Sequence, residues 1–312
     1  MKLYFPFLLF FILPSFCQAQ IDTAYIKPFE NKLSLRTYLS MKFISMEKEV
    51  NGENKQFMPN TPMSLGFGIA INNTLINLSY GHGLNFMKDN EKGRTKALDF
   101  QIHNYGRKFI IDLFIQKYQG FYTADESDKN IQLYPDLKIQ QYGAFVQYVF
   151  NNKKFSYKAA FNQNERQLRS AGSFLLGGGV YFTRIDSDSS FVHRSKNALR
   201  NFQFGASGGY AYTWAINKRW FASGSATTGV NFGTERINDF GKRRIEIYPT
   251  FFPRMAVGYN RENWSLGLSY INNLIFSSFS GDDMESIGVS SGNLQIGCIW
   301  RLDSNPFSGK KK

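Results

Sequence analysis

From Met63 the chain alternates: Met63, Leu65, Phe67, Ile69 and Ile71 are apolar, and Ser64, Gly66, Gly68 and Ala70 between them are small or polar. Nine residues at a period of two specify an extended strand with one apolar face, because successive side chains leave a strand on opposite sides. The rhythm returns along the chain. Leu98, Phe100 and Ile102 alternate with Asp99, Gln101 and His103, and Phe109, Ile111, Leu113 and Ile115 face away from Asp112 and Gln116. Tyr142 to Phe150 opposes Gln141, Gly143 and Gln147, and Phe155, Tyr157, Ala159 and Phe161 oppose Lys158, Ala160 and Asn162. Trp264, Leu266, Leu268 and Tyr270, then Leu294, Ile296, Cys298 and Trp300, repeat the pattern. An aromatic share of 17% in 312 residues, with 31 Phe and 17 Tyr, excludes a disordered chain. A mean hydropathy of −0.33, with no apolar run of about 20 residues after the first 20, excludes a helical membrane protein.

The first residues, one Lys followed by an apolar stretch from Leu3 to Phe16 and then Cys17-Gln18-Ala19, form the pattern of a cleaved signal peptide over 1–19. Lipidation at Cys17 is disfavoured by bulky Phe16 before it. Cleavage leaves Cys298 as the sole thiol, so an exported chain must gain stability without an internal disulfide. A sheet closed on itself would supply it.

Alternation alone also suits a soluble sandwich, and the placement of rings decides. Short turns are bracketed by Tyr105 and Phe109, Phe150 and Phe155, Trp214 and Trp220, and Tyr259 and Trp264. Amphipathic rings at each tight turn suit a girdle at the membrane–water interface. Short turns near 72–74, 106–107 and 151–154 alternate with polar stretches at 47–60, 85–95 and 120–136, the asymmetry of an outer-membrane barrel. The expected fold is therefore all-β: a single antiparallel up-and-down transmembrane β-barrel over 33–302, after an N-terminal periplasmic segment 20–32 and before a polar tail 303–312. Thirteen segments alternate, but a barrel with both termini in the periplasm needs an even number. The miscount lies between Phe155 and Phe204. A strand at 189–195 would make fourteen; a non-spanning Leu175–Gly179 stretch makes twelve, the preferred number.

Several segments resemble a family of exported proteins known as domain of unknown function 4421. They include Tyr25-Ile-Lys-Pro-Phe-Glu-Asn-Lys-Leu33, Tyr105-Gly-Arg-Lys-Phe-Ile-Ile-Asp-Leu-Phe114, Phe155-Ser-Tyr-Lys-Ala-Ala-Phe161, Ser170-Ala-Gly-Ser-Phe-Leu-Leu-Gly177 and Gly209-Tyr-Ala-Tyr-Thr213. The resemblance implies a Gram-negative envelope protein of barrel type and no activity. The chain departs from general barrel practice at its end, which is Lys-rich, so the insertion machinery would have to read Trp300 and Leu302.

Gly205-Ala-Ser207-Gly-Gly209 fits G-x-S-x-G, but a nucleophile elbow needs a strand, a sharp turn and a helix, and Ser207 lies inside a run of strand period. Of the histidines, His82 shares the parity of Tyr80 and lies near the outer rim, His103 points inward and His193 sits in a polar loop; none has a serine at a spacing that compels contact. No paired His or Cys spacing suggests a metal, and no cofactor is expected. The inward charges, Arg36, Lys42, Asp99, Asp112, Lys158 and Arg254, with His103, are the candidate lumen lining. Asp112 should stand opposite Gln101 with Asp99 diagonal to it, and Arg36 or Lys158 should supply the cations. They would either salt-bridge a filled lumen or select a small solute.

The net charge of +13 is dispersed over turns and loops, which argues against nucleic acid. Arg166, Arg169 and Lys242-Arg243-Arg244 would meet outer-membrane lipid headgroups or lipopolysaccharide phosphates. The first functional reading is a narrow pore or solute-binding transporter. The second is a closed barrel whose long loops bind an envelope partner, and a lipid-modifying enzyme is disfavoured.

Overall fold

The computed structural model describes residues 21–29, 33–50, 53–71, 74–80, 89–125, 130–187, 198–234, 246–278 and 286–302. The signal segment, the tail 303–312, the 189–195 segment, His82, His193 and Lys242 to Arg244 lie outside them. The strands are β1 (Ile26–Pro28), β2 (Leu33–Val50), β3 (Glu53–Phe57), β4 (Ser64–Ile71), β5 (Thr74–Tyr80), β6 (Lys96–Tyr105), β7 (Phe109–Thr123) and β8 (Gln132–Val149). Then follow β9 (Glu165–Gln167), β10 (Ala171–Asp186), β11 (Ala198–Ala215), β12 (Trp220–Thr234), β13 (Glu246–Asn260), β14 (Trp264–Ser278) and β15 (Ser286–Leu302).

Twelve strands form one antiparallel path, β5-β4-β2-β15-β14-β13-β12-β11-β10-β8-β7-β6, with β3 folded back onto β2. The long strands nearest the two termini are neighbours, in a register running from Leu33↔Leu302 to Lys48↔Ile287. Among the described residues no ladder joins the two ends of the path, β5 and β6, but other contacts bridge that side. Met58 and Tyr122 exchange backbone hydrogen bonds of 2.9 Å, and Lys42 Nζ lies 3.4 Å from the Asp99 carbonyl oxygen. The sheet is a curled barrel whose two faces differ as the alternation requires. Phe67, Leu98, Phe100, Leu113, Val146, Leu176, Val230, Met255 and Leu268 are exposed outside, while Gln116, Gln141, Asn201, Thr213 and Ser265 are buried inside. A barrel facing hydrocarbon needs this inversion of a soluble fold, because its outer face meets lipid and its inner face does not.

Among the described residues twelve strands lie on the wall path, but for a reason other than the one the sequence suggested. Leu175 and Gly179 lie inside β10, which is paired to β8 and β11 throughout that stretch. The segment that fails to span is 155–163. It follows β8, whose two edges are already taken by β7 and β10, so no partner is left for it. Lys158–Asn162 instead forms a single π-turn, with Ser156 Oγ accepting from the Ala159 N–H at 3.1 Å. Ala159 and Ala160 are both buried, so the apparent alternation there is not two-faced.

The interior is layered along the barrel axis. At the long-loop end Ile44, Met46, Phe57, Ile139, Ile185, Leu199, Ile287 and Val289 form an apolar layer with exposures of 0–1%. Below it Phe114, Phe145, Tyr181, Phe252 and Ile275 cluster, with Phe114 fitted over Gly143 of the neighbouring strand β8. A Cβ on Gly143 would stand 2.1 Å from the Phe114 ring. Gly143→Val is expected to cost about 1–3 kcal/mol as overpacking, read as a lower urea midpoint for the refolded protein. Gly224→Ala, where an added Cβ meets nothing within 4 Å, should leave the midpoint unchanged.

Candidate functional site

Six of the seven charged residues expected in the lumen face inward from strands: Arg36 and Lys42 from β2, Asp99 and His103 from β6, Asp112 from β7 and Arg254 from β13. At the centre Asp112 and Arg254, each 1% exposed, form an ion pair through Asp112 Oδ2 and Arg254 Nη2. The other Asp112 oxygen lies 2.6 Å from His103 Nδ1, and His103 Nε2 lies 3.2 Å from Gln101 Oε1. Gln101 Nε2 donates to both Asp99 oxygens at 2.9 and 3.1 Å. Asp99 also accepts from Gln116 Nε2 at 2.9 Å and from the Tyr118 hydroxyl at 2.6 Å, and Lys42 Nζ stands 3.8 Å from it. One polar chain thus crosses the lumen from β13 to β2.

The register corrects the expected pairing. Asp112 stands opposite His103, not Gln101, and Asp99 stands opposite Gln116. The cation for Asp112 is Arg254, 142 residues away on the far wall, and that for Asp99 is Lys42. Arg36 and Lys158 serve neither carboxylate. Burying such charges costs several kcal/mol each unless they are paired, and the Asp112 carboxylate meets that need from two sides. The Asp99↔Gln116 pair continues across the wall as Gln141, Thr183 and Asn201, five inward polar residues in register.

A plug occupies the short-turn end. β1 pairs with β9 (Ile26↔Gln167, Lys27↔Arg166, Pro28↔Glu165), which ties residues near the N-terminus to the connection between β8 and β10. Gln167 Nε2 donates to the carbonyls of Lys154 and Arg169 at 2.6 and 3.0 Å. Glu165, 4% exposed, pairs with Arg107 at 2.5 Å and accepts from Ser156 Oγ. Tyr105, Tyr157 and Phe161 stack in the barrel mouth with ring centroids 5.4–5.7 Å apart.

Two arginines from the adjacent strands β2 and β15 latch this plug. Arg36 donates to the Asn162 carbonyl at the end of the π-turn. Arg301 donates to the Gln163 carbonyl at 2.6 Å, Ser265 Oγ at 2.8 Å and the Arg261 carbonyl at 3.1 Å, and its guanidinium lies 3.4 Å from the Phe29 ring centroid. Gln163 adopts a left-handed backbone (φ 49°) and reaches between β13 and β14, donating to Asn260 Oδ1 at 3.2 Å and to the Leu266 carbonyl at 3.1 Å. Only glycine leaves room there. A Cβ on Gly258 or Gly267 would stand 2.7 or 2.5 Å from the Gln163 amide.

Six of the eight aromatics expected in the girdle face outward and two do not. Phe109, Phe150, Trp214, Trp220, Tyr259 and Trp264 face outward at the turn end. They pack with Tyr148, Tyr212 and one another at centroid distances of 4.9–5.4 Å, and the outward Phe174 and Tyr210 pack together at 5.1 Å. Tyr105 and Phe155 instead point into the plug, 3% and 1% exposed. Tyr105 shares the parity of Asp99 and His103, so the period itself puts it inside. Arg166 is likewise a plug residue: it pairs with Glu262 at 3.0 Å and lies 5.3 Å over the Phe29 ring. Arg301 was missed, although extending the inward series Asn293, Gln295, Gly297 along β15 reaches it. Ser207 sits in mid-strand between Gly177 and Gly229, so the G-x-S-x-G run makes no elbow. Among the described residues no group of three His, Cys, Asp or Glu could hold a metal ion.

No curated protein matches this sequence. Among solved structures, the outer membrane protease OmpT from Escherichia coli is similar at 8% identity, over 88% of this chain and 97% of that one, with a TM-score of 0.31. The Pseudomonas putida toluene transporter TodX is similar at 8% identity over 88% and 91%, with a TM-score of 0.29. A Pseudomonas aeruginosa FadL homologue is similar at 9% over 87% and 90%, with a TM-score of 0.28. The family described as Domain of unknown function (DUF4421) matches residues 20–297, and the chain belongs to it.

Proposed function

We propose that the protein is an outer-membrane β-barrel with a closed lumen, a structural or interaction protein of the envelope that meets its partner through the long loops. The apolar outer wall and the aromatic belt at one rim support the membrane setting. The observation that carries the closed reading is that the lumen is filled at three levels: the apolar layer, the Asp112–Arg254 network and the latched plug. A conducting pore keeps its lining groups in water, whereas Asp112, Gln116, Gln141 and Arg254 are 0–1% exposed.

In planar bilayers the refolded mature protein is expected to insert without unitary conductance steps, and Asp112→Asn should not create any. Regular steps whose ion selectivity shifts with Asp112→Asn would overturn the closed reading and restore a charge-lined pore.

A further inference from the structure

We propose that the turn-end cavity beside the plug is a binding site for a small inorganic anion of halide size, held by Arg36 with Arg301 behind it. A cavity of about 20 Å³ lies there, lined by side chains that include Arg36, Gln163, Ser269, Gln295 and Phe161. That volume holds one or two water-sized bodies, which admits chloride or bromide and excludes a tetrahedral oxyanion.

The charge balance around the cavity calls for an anion. Four guanidinium groups converge on the plug: Arg36, Arg107, Arg166 and Arg301. Among the described residues two carboxylates answer them, Glu165 on Arg107 and Glu262 on Arg166. Arg36 and Arg301, 7% and 4% exposed, hydrogen-bond to carbonyl and hydroxyl oxygens, and Arg301 also lies on the Phe29 ring and within the field of Glu262. At Arg36 a carbonyl dipole orients the guanidinium but supplies no counter-charge, and a buried charge so held is costly. A bound anion against Arg36 removes that cost. The amide groups of Gln163 and Gln295 and the hydroxyl of Ser269 offer neutral donors to complete its shell. This site is independent of whether the barrel conducts, because it lies against the plug and not along the central network.

The test is ³⁵Cl line broadening by the refolded mature protein in detergent at fixed ionic strength. The wild type is expected to show a saturable excess width that bromide displaces and sulfate at equal concentration does not. Arg36→Gln should lose the saturable part. Gln295→Met keeps all four arginines and removes an amide donor from the cavity wall, so it should lose the same component even if Arg36→Gln fails to fold. Broadening that survives Gln295→Met, or that sulfate displaces fully, would overturn the site. A wild type with no saturable component would overturn it as well.

Discussion

Asp112→Ala is expected to lower the stability of the folded barrel by about 3–5 kcal/mol, the largest effect of any single change considered. The Asp112 carboxylate accepts from Arg254 and faces His103, and both it and Arg254 are shut away from water. Removing the acid leaves a guanidinium in the middle of a lumen with no replacement anion among the described residues around it. The same reasoning makes the paired change Asp112→Leu with Arg254→Met far milder, because apolar residues of similar volume need no counter-charge. Urea midpoints of the refolded protein would show this as strong non-additivity, the double variant recovering most of what the single variant loses. An Asp112→Ala midpoint equal to the wild type would mean that the pair is solvated and the lumen open at that level.

Arg301→Ala is expected to release the plug while leaving the sheet intact. It removes two charge-assisted hydrogen bonds to carbonyls, one to Ser265 and the contact with Phe29. Together these are worth about 3 kcal/mol of local stability, a factor of roughly a hundred at 1.4 kcal/mol per decade. Hydrogen exchange read by mass spectrometry should show amide protection falling by that factor over 21–29 and 156–168 and holding over β11 to β14. A uniform loss across all strands would show that plug and wall unfold together. No loss anywhere would show that the latch contributes nothing.

The wall of the barrel was readable because a period of two is a local property: each of Leu98, Phe100 and Ile102 takes its side from its neighbours alone. The parity of Asp99, His103, Asp112 and Arg254 followed in the same way, and all four face the lumen. Which of them touch was not readable. A two-residue error in register, which keeps the parity, exchanges Gln101 for His103 opposite Asp112, and the partnership of Asp112 with Arg254 spans 142 residues that no local pattern encodes. The plug was hidden for another reason. Phe155, Tyr157, Ala159 and Phe161 alternate as a strand does, and only the occupation of both edges of β8 denies them a ladder. Arg36 shows the mixed case: its inward side was evident, but its partner, the Asn162 carbonyl, belongs to a turn that the pattern read as strand.

The adjacency of β2 and β15 sets the order in which such a chain can finish folding. Hydrogen bonds such as Ser40 Oγ to Asn293 Oδ1, at 2.6 Å, join residues 253 positions apart, whereas the paired neighbours from β10 to β15 are consecutive in the chain. The loop entropy of that last junction cannot be offset until the chain is complete, so the seam forms late. Until then β2 and β15 each carry an open edge able to recruit another chain. The same seam bears Arg36 on one side and Arg301 on the other, so sealing the wall and seating the plug are a single event.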